Sequence, residues 1–132
     1  MTIHATGTFE VKLAPKAPDD SDASGLGRMT IDKQFHGDLE ATSQGQMLSF
    51  LTSTRTSGGY VALERVTGTL HGKKGSFVLQ HSGTMNRGAP SLTVTVVPES
   101  GTDELVGITG TMQIIIESGK HSYDFEYTIT AP

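Results

Sequence analysis

Glu64 and His81 are the residues of this sequence whose types and spacing best suit acid–base chemistry, because a carboxylate and an imidazole can exchange a proton near neutral pH. Both lie in residues 58–84, a stretch that alternates in polarity on either side of the basic, glycine-flanked segment His71-Gly-Lys-Lys-Gly75. Such a pattern is typical of two β-strands joined by a tight turn.

The register of this hairpin decides which side chains share a face. Placing His71 opposite Ser76 makes Glu64 and His81 diagonal neighbours on one face, because side chains alternate along a strand. A slip of one residue would exchange the faces. The face that carries the pair is the more apolar and aromatic one, so it is predicted to point inward: Tyr60, Ala62, Glu64, Val66, Gly68, Leu70, Phe77, Leu79, His81 and Met85.

Two interpretations of the pair remain open. A buried charge without a partner is very costly, so Glu64 and His81 each need the other, a hydroxyl or a bound ligand. The pair either serves as the catalytic acid and base of a pocket or forms a hydrogen bond that belongs to the core.

The last strand carries further candidates on its apolar face. His121, Tyr123 and Tyr127 alternate there with polar residues, and three rings with polar tips are unusual in a dry core. Together with Tyr60 they are predicted to bind a ligand. A two-histidine, one-carboxylate metal site of His81, His121 and Glu64 is a weaker alternative, since no metal-binding spacing is present. We therefore expect no metal and no cofactor.

Composition narrows the class of protein. The chain has 132 residues, which suits a single domain over 1–132, and its 16 glycines with frequent Thr and Val favour strands and turns. The net charge of −4 and the lack of a basic block argue against nucleic-acid binding. Because there is no cysteine, disulfides and thiolate chemistry are excluded.

The sequence shows no pattern typical of a targeting signal. No apolar run approaches the length of a membrane span, and residues 1–6 lack the basic and apolar regions of a signal peptide. The sequence therefore predicts a cytoplasmic protein without a membrane partner.

Periodicity and turn signals predict about eight strands and no helix. The strands are expected at 2–13, 26–42, 46–54, twice within 58–84, at 91–97, 104–117 and 121–130, with a turn at 42–45. The polar segment 14–25, which contains Asp19, Asp20 and Asp22 without a calcium-loop pattern, is expected to be a solvated loop. The run Ile114–Ile116 suggests burial on both faces, for instance at a subunit contact. Short connections favour a closed, antiparallel up-and-down barrel, whose interior is filled or holds one small ligand.

Several segments resemble a bacterial domain-of-unknown-function family of small, single-domain proteins, which is similar in fold to the allene oxide cyclase barrel. They are Phe35-His-Gly-Asp-Leu-Glu40, Tyr60-Val-Ala-Leu-Glu-Arg-Val-Thr-Gly-Thr-Leu70, Gly75-Ser-Phe-Val-Leu-Gln-His81, Val96-Val-Pro-Glu-Ser-Gly-Thr102, Glu104-Leu-Val-Gly-Ile-Thr-Gly110 and His121-Ser-Tyr123. The resemblance implies a closed eight-stranded meander barrel. It supplies no function, and a shared fold does not transfer catalytic residues. Relatives with such barrels often self-associate, so a homo-oligomer is expected.

Three functions are compatible with these observations. The first is a barrel that binds a small apolar or amphipathic molecule in its interior. The second is an isomerase or cyclase in which Glu64 or His81 moves a proton and a tyrosine hydroxyl stabilises an oxyanion. The third is a structural or interaction module whose interior is simply a core.

Overall fold

The computed structural model describes residues 2–16 and 25–130, which form eight β-strands and a short 3-10 helix. The strands are β1 (Ile3–Lys16), β2 (Gly27–Gly37), β3 (Leu39–Leu51), β4 (Gly58–Leu70), β5 (Lys73–Asn86), β6 (Ala89–Val96), β7 (Ile108–Glu117) and β8 (Lys120–Ile129), and the 3-10 helix is Asp103–Leu105. The predicted loop aspartates Asp19, Asp20 and Asp22 lie outside the described residues.

The strands form a closed barrel in sequence order. Each strand pairs antiparallel with its neighbours, and β1 pairs with β8 to close the cylinder. The predicted eight-stranded up-and-down barrel is therefore confirmed. Buried and exposed positions alternate along β2, β4 and β5, as the apolar periodicity of their sequences predicts.

The β4–β5 hairpin differs in register from the prediction. Its turn consists of two residues, His71 and Gly72, which both have positive φ, as type I′ turns require. Leu70 consequently pairs with Lys73, and Val66 pairs with Phe77 rather than with His81. The predicted and observed registers differ by an even number of residues, so every side chain lies on the face of the hairpin that was predicted for it.

The predicted long strand 26–42 is wrong, because the chain reverses direction at Gly37 and Asp38. The expected turn at 42–45 is also wrong, since these residues lie in the middle of β3. Gly45 marks a close approach of strands instead. A Cβ atom there would lie 2.2 Å from the carbonyl oxygen of Leu63 on β4.

The predicted strand 104–117 begins later than expected, at Ile108. The preceding loop lies along β5 where β6 no longer pairs with it: the Thr102 N–H donates to the Ser76 carbonyl oxygen at 2.9 Å, and the Ser100 hydroxyl accepts from the Val78 N–H at 3.0 Å. Leu105 of the 3-10 helix is buried in the core. The loop thus extends the sheet and supplies a core residue.

Aromatic side chains fill the half of the barrel near the β4–β5 turn. The ring of Phe125 stacks on those of Phe77 and Tyr127, with centroids 5.5 and 5.3 Å apart. Leu39, Leu70 and Leu105 join the same buried cluster. The opposite half, near the β3–β4 and β5–β6 turns, contains the candidate site.

The close approach of Gly37 to strand β1 can be tested by substitution. Gly37 has φ of 110°, and a Cβ atom there would lie 2.8 Å from the Thr6 carbonyl oxygen. Gly72 has φ of 79° with open space around it. Gly72→Ala should cost about 1–2 kcal/mol for the left-handed backbone alone, and Gly37→Ala should cost about 1–3 kcal/mol more because of the clash. Urea unfolding of both variants measures the difference, and equal losses would contradict the close approach.

Candidate functional site

A buried polar cluster is centred on Glu64. Its Oε1 accepts hydrogen bonds from Lys33 Nζ at 3.1 Å and from His81 Nε2 at 3.0 Å. Its Oε2 accepts from the Ser43 hydroxyl at 2.9 Å. All four side chains are buried, so the predicted diagonal contact between Glu64 and His81 is present, with two further partners.

Four consecutive strands build this cluster, because β2, β3, β4 and β5 each contribute one inward-facing residue. Glu64 lies opposite Gly45 on β3. A Cβ atom on Gly45 would lie 2.7 Å from Glu64 Cα and Cβ. The missing side chain therefore lets β3 approach β4 closely at the point where Glu64 turns inward.

Lys33 places a full positive charge inside the barrel, where only 6% of its surface is exposed. Its Nζ lies 5.0 Å from the ring centroid of Phe9 and 5.8 Å from that of Phe35. The ring faces and the Glu64 carboxylate replace the water that the ammonium group has lost. Since the two charges are opposite, Lys33 and Glu64 together add no net charge to the interior.

The partners of Glu64 keep it ionised. Burial by itself would raise the pKa of the carboxyl group, but the hydrogen bond from His81 and the charge of Lys33 outweigh it and hold the pKa below its ordinary value. Glu64 therefore remains a carboxylate at neutral pH, with its oxygens already bonded.

Tyr60 connects the cluster to the open half of the barrel. Its hydroxyl lies 3.4 Å from His81 Nδ1, at the long end of the hydrogen-bond range. Burial, followed by the Glu64 charge, raises the pKa of Tyr60, so its hydroxyl stays protonated at neutral pH. Gly83 makes room for the ring, since a Cβ atom there would lie 2.6 Å from it.

A cavity of about 480 Å³ opens at this end of the barrel, and Tyr60 forms part of its wall. Its lining is mostly apolar: Leu13, Met29, Met47, Ser49, Phe50, Leu51, Gly58, Gly59, Tyr60, Gly83, Thr84, Met85, Pro90, Ser91 and Leu92. Glu64 and His81 lie below this lining and are almost completely buried. Among the residues of the cluster and its neighbour Tyr60, it is Tyr60 that meets the cavity.

The other predicted ligand-binding residues lie elsewhere. His121 packs on Phe9, with ring centroids 5.2 Å apart, and lines a separate groove between β1 and the β7–β8 turn. The Tyr123 hydroxyl is 2.9 Å from the His36 carbonyl oxygen and accepts from the Leu39 N–H at 3.0 Å. Tyr123 thereby fixes the β2–β3 turn.

Tyr127 lies in the filled half of the barrel, where its hydroxyl bonds to His71 Nδ1 in the β4–β5 turn. The structure thus brings Tyr60, Glu64 and His81 together and leaves His121, Tyr123 and Tyr127 outside that group. Within residues 2–16 and 25–130, no three His, Asp or Glu side chains are grouped so as to hold a metal ion. His121 accordingly does not join Glu64 and His81 in a metal site.

The sequence pattern did not identify Lys33 and Ser43 as members of the cluster. The available signal for Lys33 was its spacing, since it follows Ile31 and precedes Phe35 at alternate positions of one apolar face. Ser43 was missed because the segment 42–45 resembles a turn in composition.

The comparisons with known proteins agree with this fold. A family model described as "Protein of unknown function (DUF3224)" matches residues 5–127. A crystal structure of a DUF3224 protein with unknown function from Shewanella oneidensis MR-1 is similar to this chain, with 48% identity, complete coverage of both chains and a TM-score of 0.93. The comparison with curated proteins gives no match. In the described part of the chain, no helix is long and apolar enough to cross a membrane.

The ion pair can be tested by a double-mutant cycle with Lys33→Met and Glu64→Gln. Each single change should lower the free energy of unfolding by about 3–5 kcal/mol, because it leaves a buried charge without its partner. The double variant should lose less than the sum of the two, because neither charge remains. Guanidinium unfolding measures all four proteins, and additive losses would contradict a coupled pair. Glu10→Gln, at an exposed carboxylate near His36, is the control and should cost under about 1 kcal/mol.

The pH dependence of stability provides a second test. The folded pKa of Glu64 is below its ordinary value of 4.5, so its stabilising effect is complete above the unfolded pKa and is lost as the pH falls through the folded pKa. The difference in unfolding free energy between wild type and Glu64→Gln should therefore shrink on acidification from pH 6 to pH 3. Denaturant unfolding across this range measures it. A difference that stays constant or grows would show that Glu64 is not held ionised by its partners.

Proposed function

The chain belongs to the DUF3224 family of proteins of unknown function, and we propose that it binds a small apolar or amphipathic molecule at the open end of its barrel. The proposal refines the expected site, since aromatic side chains fill the opposite half of the interior. The ligand is expected to enter the cavity at the open end of the barrel, which we call the mouth, and to stop above the buried polar cluster.

The observation that carries this proposal is the mostly apolar cavity with Tyr60 in its wall. Its volume of about 480 Å³ is within the range usual for small-molecule sites. Met29, Met47 and Met85 supply part of the wall. Methionine side chains adapt to differently shaped apolar ligands because they are unbranched and flexible.

The polar cluster gives the cavity a defined floor. Tyr60 cannot move freely, since its ring packs over Gly83 and its hydroxyl bonds to His81. His81 is in turn held by Glu64. A ligand with one polar group on an apolar body would therefore find Tyr60, held in place, in an otherwise mostly apolar wall, which favours one binding orientation.

An isomerase or cyclase is the second candidate, and the contact series from Tyr60 through His81 to Glu64 favours it. This arrangement could move a proton between the cavity and the buried carboxylate. Glu64 has no direct access to a substrate, because its oxygens already accept three hydrogen bonds. Under this candidate Tyr60 is the group that touches substrate, and the predicted catalytic residues Glu64 and His81 act through it.

We also propose that the chain self-associates, as the sequence predicts. Ile115 and Ile116 are 39% and 63% exposed in the single chain, so the burial expected for both faces of this run would require a second copy. Native mass spectrometry measures the number of subunits. A cytoplasmic location likewise stays a prediction.

Binding can be tested with N-phenyl-1-naphthylamine, a neutral apolar dye whose fluorescence rises in apolar sites. Wild-type protein should bind it saturably at one site per chain. Met29→Trp, which fills the cavity, should weaken binding about tenfold, equivalent to about 1.4 kcal/mol. The titration is followed by dye emission, and the absence of saturable binding would contradict the proposed function.

Leu63→Ser is the matched control for this experiment. Leu63 is 54% exposed and lies on the outer surface of the barrel, where it lines a second apolar groove with Leu48 and Val61. If the dye binds in the mouth, Leu63→Ser should leave its affinity unchanged. Loss of affinity in Leu63→Ser but not in Met29→Trp would place the dye on the outer surface and exclude the mouth.

A further inference from the structure

We propose that the cavity selects neutral molecules that carry an O–H or N–H donor at one end of an apolar body, in preference to carbonyl compounds and carboxylates. This inference rests on the proposed function and specifies its ligand class.

The hydrogen bond to Glu64 fixes the position of a proton on His81. Its Nε2 lies 3.0 Å from Glu64 Oε1, which is a carboxylate oxygen and can only accept. Two acceptors at this distance would repel each other. His81 Nε2 therefore carries a proton and donates it to Glu64.

The buried charges around His81 decide the state of its other ring nitrogen, Nδ1. Lys33 and Glu64 already form a buried pair of opposite charges. A second proton on His81, which is only 3% exposed, would add a buried positive charge without a matching anion, and such a charge is costly. His81 is therefore the neutral Nε2–H tautomer, so its Nδ1 is a hydrogen-bond acceptor.

The acceptor on His81 sets the orientation of the Tyr60 hydroxyl. A phenol has one proton to donate, and the acceptor Nδ1 of His81 lies 3.4 Å from its oxygen. The Tyr60 proton therefore points toward His81. Since Tyr60 is a wall residue of the cavity, the lone pairs of its hydroxyl are what it can offer to a ligand that reaches this oxygen.

A ligand that reaches Tyr60 must consequently donate a hydrogen bond. An alcohol or an amide N–H can do so, whereas a ketone would bring two acceptors together. A carboxylate would in addition approach the charge of Glu64. Ser49, which also lines the cavity, does not impose the same selection, because its hydroxyl can rotate to donate or accept.

The experiment compares octan-1-ol, octan-2-one and octanoate as competitors of N-phenyl-1-naphthylamine on wild type and Tyr60→Phe. On wild type, octan-1-ol should displace the dye at about one-tenth the concentration needed for octan-2-one, the effect of one hydrogen bond. Octanoate should be the weakest competitor. On Tyr60→Phe the preference for the alcohol over the ketone should disappear, because the acceptor is gone. The change in this ratio from wild type to Tyr60→Phe is free of the different water solubilities of the competitors, because these are the same for both proteins.

The outcomes separate the two proposals. If the dye and octan-1-ol do not bind at all, the proposed function fails. If both bind but octan-2-one or octanoate competes as well as octan-1-ol on wild type, the barrel binds ligands and the inferred donor selection is wrong. An alcohol preference that survives in Tyr60→Phe would also overturn it, because the selecting group would then be another residue of the cavity. If Tyr60→Phe does not fold, the wild-type ranking decides the matter once each competitor's concentration is divided by its own aqueous solubility.

Discussion

The buried ion pair between Lys33 and Glu64 constrains the rest of the interior. Neither charge tolerates the loss of the other in a medium of low polarity. Their neighbours are therefore restricted: Ser43 must offer a proton, and His81 must present N–H rather than a lone pair. The barrel places these groups on four adjacent strands, so the pairing of β2 to β5 and the neutralisation of the cluster depend on each other.

The sequence predicted the barrel because its signals are local and repeated. Alternating polarity marks each strand face, and short polar connections require neighbouring strands to pair in order. The pairing register was not predictable in the same way. From the sequence, Gly72 and Gly75 are both plausible turn residues, but only Gly72 lies in the turn. Gly75 lies in β5, where a Cβ atom would lie 2.3 Å from the Thr102 carbonyl oxygen. That contact is distant in sequence and leaves no local pattern.

The candidate site was predictable where residues share one hairpin. Glu64 and His81 are found as diagonal neighbours because an even error in register preserves the face of each side chain. Lys33 and Ser43 come from other strands, and their meeting with Glu64 depends on registers that place Lys33 opposite Ser43 and Gly45 opposite Glu64. Tyr123 and Tyr127 share the alternation of Tyr60 yet bond to turns at the filled end. Periodicity assigns a side chain to the interior, but not to a height along the barrel axis.

The central claim is that the hydrogen bonds run in one direction, from Tyr60 through His81 to Glu64, and this depends on the protonation of one ring. The most direct measurement is a long-range ¹H–¹⁵N correlation spectrum of protein labelled with ¹⁵N-histidine at pH 7, with the signals of His81 assigned from a His81→Gln variant. We expect a neutral ring with the proton on Nε2 and none on Nδ1. A proton on Nδ1, in either the other tautomer or an imidazolium, would reverse the Tyr60 hydrogen bond and contradict the account.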